Sequence, residues 1–370
     1  MLNAAQPAEF NPNRFALARK RRGFTKIYVA RKLGVDLRTI TGWERGEYIP
    51  SPEMLSAIEG ALGFPRAFFA GDDLEEPAPD AASFRSLSRM TAKQRNMALG
   101  QGAIALLVNK WLEERFEIPQ PSLPDLRYES TPEAAANSLR RIWAIGELPI
   151  RNMVHLLEAN GVRVFSLDLE SREVDAFSMW KANTPFIFLN RYKSSEHSRF
   201  DAAHELGHLI MHRHGSPQGR EAEREADQFA SAFLMPSQSV LAHAPRHASI
   251  EELLRLKKIW SVSLSALNYR LHELRLTSDW QHRILYMQIA KRGFLTSEPD
   301  SCPRESSLVL QNLFLHLYQQ EGISRAKIAE DLQIPISELE HLVFGLVMTS
   351  IRGGNRRTER KPVSGLNRIK

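Results

Sequence analysis

The 370-residue chain holds a single cysteine, Cys302, so no internal disulfide can form and the composition suits a reducing compartment. No run approaches the roughly eighteen apolar residues that a membrane helix needs. Met1 to Pro12 lacks the basic-then-apolar order of an export signal. A cytoplasmic protein without a membrane span is therefore expected. Nor does one sign of charge dominate throughout. The net charge of +6 is unevenly placed: residues 1–70 carry eleven Lys/Arg against six Asp/Glu, residues 351–370 seven against one, and the stretch between is net −5. The basic character belongs to the two ends. At 43% apolar content the chain is long enough to bury two or three cores.

What is present centres on His204-Glu205-Leu206-Gly207-His208, inside a run from Phe200 to His212 with no helix breaker except Gly207. On a helix, positions four apart lie one above the other, so His204 and His208 present two imidazoles to one point. This spacing suits two nitrogen ligands of zinc, and Glu205 lies beside them, placed as a general base. Arg220 to Pro236 reads as a second helix with Ala226, Phe229, Ala230 and Phe233 as its apolar stripe. A carboxylate from such a helix is the usual third ligand. Glu223 is assigned that place. Asp227, one turn on, is placed to accept the free N–H of a ligand histidine. Glu225 is the competing choice, read as pointing away from Asp227 towards the charged side. The competing interpretation is an acidic surface helix over a core helix that happens to carry histidines. His212 lies about 6 Å beyond His208 along the axis, too far to share the metal on an unbroken helix, and is placed around the ligands or facing substrate. His214 reads as a solvated end residue.

Three short runs precede this helix with strand character: Val162 to Leu167, Val174 to Trp180 and Pro185 to Leu189. A small sheet beside a metal helix offers an edge to which an extended peptide can add as another strand.

The second signal is at the N-terminus. Helices are expected over Asn13 to Arg22, Thr25 to Leu33, Asp36 to Arg45 and Pro52 to Leu62. The second and third, joined through Gly34-Val35, form a helix-turn-helix. Arg38, Thr39 and Thr41 sit where they can reach base edges, and Lys26 and Arg45 where they can reach phosphates. The basic balance of residues 1–70 suits a double-stranded DNA operator.

These residues also carry a family resemblance. Phe24-Thr25, Ala30, Leu33-Gly34-Val35, Ile40, Trp43-Glu44-Arg45-Gly46 and Pro50-Ser51-Pro52 resemble the Xre/Cro-type helix-turn-helix. Lys26 departs from it, standing where that family most often has glutamine. Arg199-Phe200, Ala203 to His208, His212, Glu223, Ala226-Asp227, Phe229-Ala230 and Leu234-Met235-Pro236 resemble the ImmA/IrrE metallopeptidases. Phe84-Arg85-Ser86-Leu87 with Trp111-Leu112-Glu113 is similar to the bridge in proteins that fuse the two modules. The resemblance implies a zinc-dependent endopeptidase and a link between proteolysis and transcription, since several members act on helix-turn-helix repressors. Xre-type heads pair on palindromic sites, so a homodimer is expected.

The expected fold is mainly α with a small α+β zincin-like domain. Residues 1–70 form the DNA-binding bundle, 71–125 an acidic linker and bridging helix, and 126–245 the metallopeptidase domain. Residues 246–350 form a C-terminal helical domain and 351–370 a basic disordered tail. The linker is Gly71 to Asp80, and Met90 to Ile118 carries the bridging helix, with packing against the metal domain its more ordinary role. Two later helix pairs, Ser249 to Ile259 with Ser263 to Leu274, and Ser324 to Leu332 with Ser337 to Phe344, again resemble a helix-turn-helix. The first is read as a packing element, and the last as a packing or partner-binding element because Glu338 and Glu340 in its first turn would repel phosphate.

Zinc held by three protein ligands lowers the pKa of a water at its fourth position, and Glu205 takes the proton and delivers it to the leaving amine. Gly207 is read as facing the metal and letting a substrate backbone approach. Tyr192 and His212 are candidates for stabilising the oxyanion. Two other readings keep the DNA head: a regulator whose metal site is structural or senses a ligand, and an antitoxin-like repressor whose metal domain binds a protein partner.

Overall fold

The computed structural model describes residues 10–77, 82–84, 91–168, 176–190, 192–213, 219–245, 247–343 and 346–347. Among these, seventeen helices surround one four-stranded sheet, so the fold is mainly α with a small α+β unit. The tail 351–370, His214, Val174 and Arg85-Ser86-Leu87 lie outside the described residues.

The N-terminal head comprises α1 (Pro12–Arg21), α2 (Lys26–Leu33), α3 (Leu37–Arg45), α4 (Pro52–Leu62) and the short α5 (Arg66–Ala70). The Thr25 hydroxyl caps α2 by accepting the Tyr28 N–H, and Gly34 ends it in the left-handed region, at φ 67°. That turn swings α3 across α2. Asp36 occupies the N-cap position of α3 without a side-chain capping bond. Phe15 and Trp43 meet edge to face at 5.9 Å in the head's core.

Next come β1 (Ala82–Phe84), α6 (Ala92–Glu113), α7 (Pro132–Ile142), α8 (Met153–Ala159), β2 (Arg163–Leu167), β3 (Ala176–Lys181) and β4 (Thr184–Asn190). The sheet order is β1-β3-β4-β2, with β2 parallel to β4 and the other pairs antiparallel. The helices α9 (Ser195–Met211), α10 (Arg220–Leu234), α11 (Ser237–His243), α12 (Ile250–Trp260), α13 (Leu264–Glu273) and α14 (Asp279–Lys291) follow. Then come α15 (Leu308–Gln320), α16 (Arg325–Asp331) and α17 (Ile336–Val343).

The sheet is the wall between two cores, and strand periodicity decides which residues face which. Phe165, Phe177, Phe186 and Phe188 point to the core shared with the head, α6 and α15–α17. Val164, Ala176, Ile187 and Leu189, offset by one residue, point to the core of α7–α14. The helices expected within 246–350 therefore divide between two cores, α12–α14 in one and α15–α17 in the other. The Gln101 side chain of α6 donates to the Ser166 carbonyl and accepts from the Asp168 N–H, fixing the bridging helix to the sheet.

Residues 71–77 are tied down rather than a free spacer. Arg14 donates to the Asp72 carbonyl, Asn11 and Asn13 donate to Asp73, and Lys20 pairs with Glu76. The last helix pair packs inward as expected. Glu338 of α17 is fully buried and pairs with Arg21 of α1 at 2.8 Å and with Arg22, just past the end of that helix, at 2.5 Å. In the Ser263 pair, buried Arg270 of α13 donates to the Met235 carbonyl and pairs with Glu133 and Glu273, which makes it a packing residue.

A candidate metal centre and a helix-turn-helix head

The helix α9 starts at Ser194, whose hydroxyl accepts the His197 N–H, and runs buried on almost every side between the sheet, α8 and α10. The indole N–H of Trp180 on β3 donates to the Leu209 carbonyl and ties helix to sheet. Across it lies α10, whose carbonyl end is held by buried Arg140 on the Phe233 carbonyl and Arg270 on the Met235 carbonyl. Gly207 sits at this crossing. A Cβ there would lie 2.9 Å from Phe229 Cδ1, so the missing side chain admits α10. The expectation that Gly207 faces a substrate is corrected: it faces Phe229 and Ala226.

The close crossing brings His204, His208 and Glu223 together. The two Nε2 atoms are 3.1 Å apart, His204 Nε2 lies 3.5 Å from Glu223 Oε2, and His208 Nε2 lies 3.4 Å from Glu223 Oε1. Ligands at about 2.0–2.1 Å in tetrahedral array stand about 3.3 Å apart; the two Nε2 atoms are close to that spacing, and each faces its own oxygen of the one Glu223 carboxylate at a similar distance. Among the described residues this is the one His/Cys/Asp/Glu group with such convergence.

The proton positions fit as well. Asp227 Oδ1 lies 2.9 Å from His204 Nδ1, a contact that in a neutral imidazole holds the N–H on Nδ1 and turns the Nε2 lone pair to the centre. His212 Nε2 lies 3.0 Å from Glu225 Oε2 and donates to it. Its Nδ1 then accepts from His208 Nδ1 at 2.9 Å, which leaves His208 Nε2 a lone pair too. Burial, opposed by Glu223 and aided by His204 and His212, lowers His208 to about 4 and keeps it neutral. For Glu223, burial acts upward, but at acid pH the protonated rings of His204 and His208 outweigh it through hydrogen bonds and charge and hold the carboxyl down to about 2, so it is already ionised at neutral pH. Two lone pairs and one carboxylate thus converge, a donor set suited to a divalent cation.

Glu225 is the second correction. It faces inward onto His212, and His212 reaches His208, so a second chain of hydrogen bonds stands behind the histidines where the sequence pointed only to Asp227. Helical spacing alone could not reveal it, because it depends on how α10 is rotated against α9.

Glu205 is fully buried, and burial pushes its carboxyl up to about 8. Its Oε2 accepts from the Ser178 hydroxyl at 2.6 Å, and its Oε1 accepts no hydrogen bond. Sequence reasoning missed Ser178. Its one visible signal is a lone hydroxyl in the otherwise apolar run Ala176-Phe177-Ser178-Met179-Trp180, at the position the alternation turns towards α9. Tyr192 donates its hydroxyl to Asp168 at 2.9 Å, beyond the far end of β2, and is not brought to Glu205 by any described contact.

In the head, Arg38 is exposed in the first turn of α3 and Thr39 is half-buried beside it. The Thr41 hydroxyl donates to the Leu37 carbonyl and is spent within the helix. Arg45 is 69% exposed, 3.5 Å from Glu47. The Lys26 ammonium is held 2.7 Å from Glu44, which also takes Arg19, so part of its charge is neutralised inside the head.

Fold and site together define a DNA-binding type of helix-turn-helix joined to a metallopeptidase-like domain. The family comparison agrees on both halves. Residues 157–272 match the model of the IrrE N-terminal-like domain, and residues 16–69 match a helix-turn-helix model. The first match spans β2 to α13 and includes the whole metal-site cluster; the second covers α2 and α3. No curated protein matches the chain. No described helix is long and apolar enough to cross a membrane.

Proposed function

We propose that this protein is a transcriptional regulator that binds operator DNA through its head and hydrolyses a regulatory protein, of the helix-turn-helix repressor class, through a zinc centre. The carrying observation is the convergence of His204 Nε2, His208 Nε2 and a Glu223 carboxylate oxygen within 4.8 Å of one another, with Glu205 buried alongside. Zinc at that set would supply Lewis acidity, acidifying a water and polarising the scissile carbonyl. His204, His208 and Glu223 hold it; Asp227 on one side and His212 with Glu225 on the other keep both imidazoles in the binding tautomer. Glu205 moves the proton: Oε1 takes it from the attacking water and passes it to the amine nitrogen as the C–N bond breaks. Ser178 holds the other oxygen, so the carboxylate keeps one orientation. Positive charge brought to the donor set opposes the effect of burial and favours the ionised form of Glu205.

On the DNA side, Arg38 and Thr39 are the residues offered to base edges and Arg45 to phosphate, while Lys26 must share its charge with Glu44. A pair of heads on a palindromic site, in the cytoplasm, is the arrangement this reading takes.

The test compares wild type with Glu205→Gln in cells, following reporter transcription and the fragments of candidate repressors. The amide keeps the shape and cannot accept the proton, so the variant retains zinc and DNA binding and loses cleavage. Identical behaviour in both assays would leave the zinc domain as a sensor or a partner-binding module.

A further inference from the structure

The strand beside Glu205 already has a neighbour, and it comes from the connector between the head and α6. Ser178, which donates to Glu205, lies on β3; β4 pairs with one side of β3 and β1 with the other. Ala82, Ser83 and Phe84 stand opposite Met179, Ser178 and Phe177 in antiparallel register, so the connector's backbone runs directly alongside the residue that holds Glu205. Two contacts upstream bring the connector there independently. Glu75 forms an ion pair with Lys181 at the end of β3. Pro77 packs on Gly102 of α6, where a Cβ would lie 2.8 Å from Pro77 Cγ. The chain thus passes Lys181 first and then runs along β3 towards Phe177.

We propose that the edge of β3 is the peptide-binding edge of this centre, and that residues 82–84 are its resident, competing occupant. This rests on the peptidase reading above, in which an extended polypeptide adds to the sheet as a strand next to the proton-accepting carboxylate. With β1 seated, the N–H and C=O groups of β3 that such a peptide needs are already paired. Three residues make a short ladder, so the occupant is displaceable, and a tether of this length gives it an effective concentration on the order of millimolar. A substrate must therefore outcompete the connector, and the apparent affinity for any peptide falls by the fraction of molecules in which the edge is open.

The test uses the full chain carrying Glu205→Gln and, as probe, a fluorescent synthetic peptide of this chain's own residues 79–88. Binding is read by anisotropy with β1 intact and with Ala82→Pro, Ser83→Pro and Phe84→Pro together, which removes the ladder donors whichever alternate pair is hydrogen-bonded. The proline chain is expected to bind the peptide at least tenfold more tightly. Ala82→Gly with Phe84→Gly, which weakens the strand without prolines, is expected to shift affinity in the same direction by a smaller factor. Equal affinities across the three chains, or no binding to any of them, would overturn the proposal. Hydrolysis of the same peptide by the zinc-loaded Glu205 chains separates the two readings. A tenfold difference in binding without hydrolysis in any chain defeats the peptidase and keeps the occupant. Hydrolysis at equal rates with equal binding does the reverse.

Discussion

For single residues, the metal-site reading turns on where protons sit as much as on distances. His204 and His208 each offer Nε2 because a partner holds Nδ1: Asp227 directly for the first, and Glu225 through His212 for the second. Removing a donor and removing a tautomer-setting partner are different injuries. Glu223→Ala deletes the carboxylate and is expected to cost more than 100-fold in zinc affinity, measured by chelator competition. His212→Ala and Glu225→Ala are each expected to cost roughly 10-fold. Because they belong to one hydrogen-bonded chain, the double variant is expected to be no worse than His212→Ala alone. Additive losses, or a Glu225→Ala chain indistinguishable from wild type, would show that the relay does not act on His208. The histidine pair was legible in the sequence because 3.6-residue periodicity alone places positions four apart together. Ser178 and the inward turn of Glu225 were not, since each depends on how a second element is rotated against α9.

For elements, the decisive feature is the α9–α10 crossing. Phe229 is fully buried, and a Cβ on residue 207 would lie 2.9 Å from its ring and 3.4 Å from the Ala226 backbone. Glycine to alanine inside a helix gains about 1 kcal/mol of propensity, against roughly 1–3 kcal/mol for overpacking a closed core. Phe229 has little room to swing, so overpacking is expected to win. Gly207→Ala should lower the urea midpoint and, by moving Glu223 away from the histidines, weaken zinc binding about 10-fold; Phe229→Leu in the same chain should recover part of both. A Gly207→Ala protein of wild-type stability and zinc affinity would contradict this account. Long amphipathic helices and the three apolar strands were readable from period and punctuation. The fourth strand was not, because three residues carry no period, and its place is set by contacts from the connector to β3 and α6. The helices α7 and α8 likewise escaped sequence reading: α8 has only seven residues, and the buried face of α7 is Ala135, Ala136, Ser138, Leu139 and Arg140, with one large apolar side chain to mark it.

For the whole molecule, the sheet divides two cores, and buried charges join distant segments within a core and from one core to the other. Glu338 of α17 fastens the C-terminal helices to the head through Arg21 and Arg22. Glu158 of α8, on the metal-site side, caps α15 on the other: its Oε2 accepts the Leu308 N–H at 2.9 Å and the Val309 N–H at 3.2 Å, and Oε1 accepts from the Ser307 hydroxyl. None of this was visible in the sequence, because residues about 150 apart share no local pattern. Burial pushes the Glu158 carboxyl from 4.5 up to about 7 despite these donors. Between those values the folded chain holds a proton that the unfolded chain has released. Stability from this group is therefore fully present below about pH 4.5 and declines as pH rises through 7, by about 3 kcal/mol in all. In Glu158→Gln the amide oxygen can keep the Leu308 and Val309 N–H groups while its NH2 donates to the Ser307 oxygen, and nothing there titrates. The difference in unfolding free energy between the two proteins, from urea titrations at pH 5, 6, 7 and 8, cancels the other titrating groups. It is expected to shift in favour of the glutamine variant as pH rises from 5 to about 7 and to level off by pH 8, and a difference that stays constant from pH 5 to 8 would mean that Glu158 remains ionised at the helix terminus throughout.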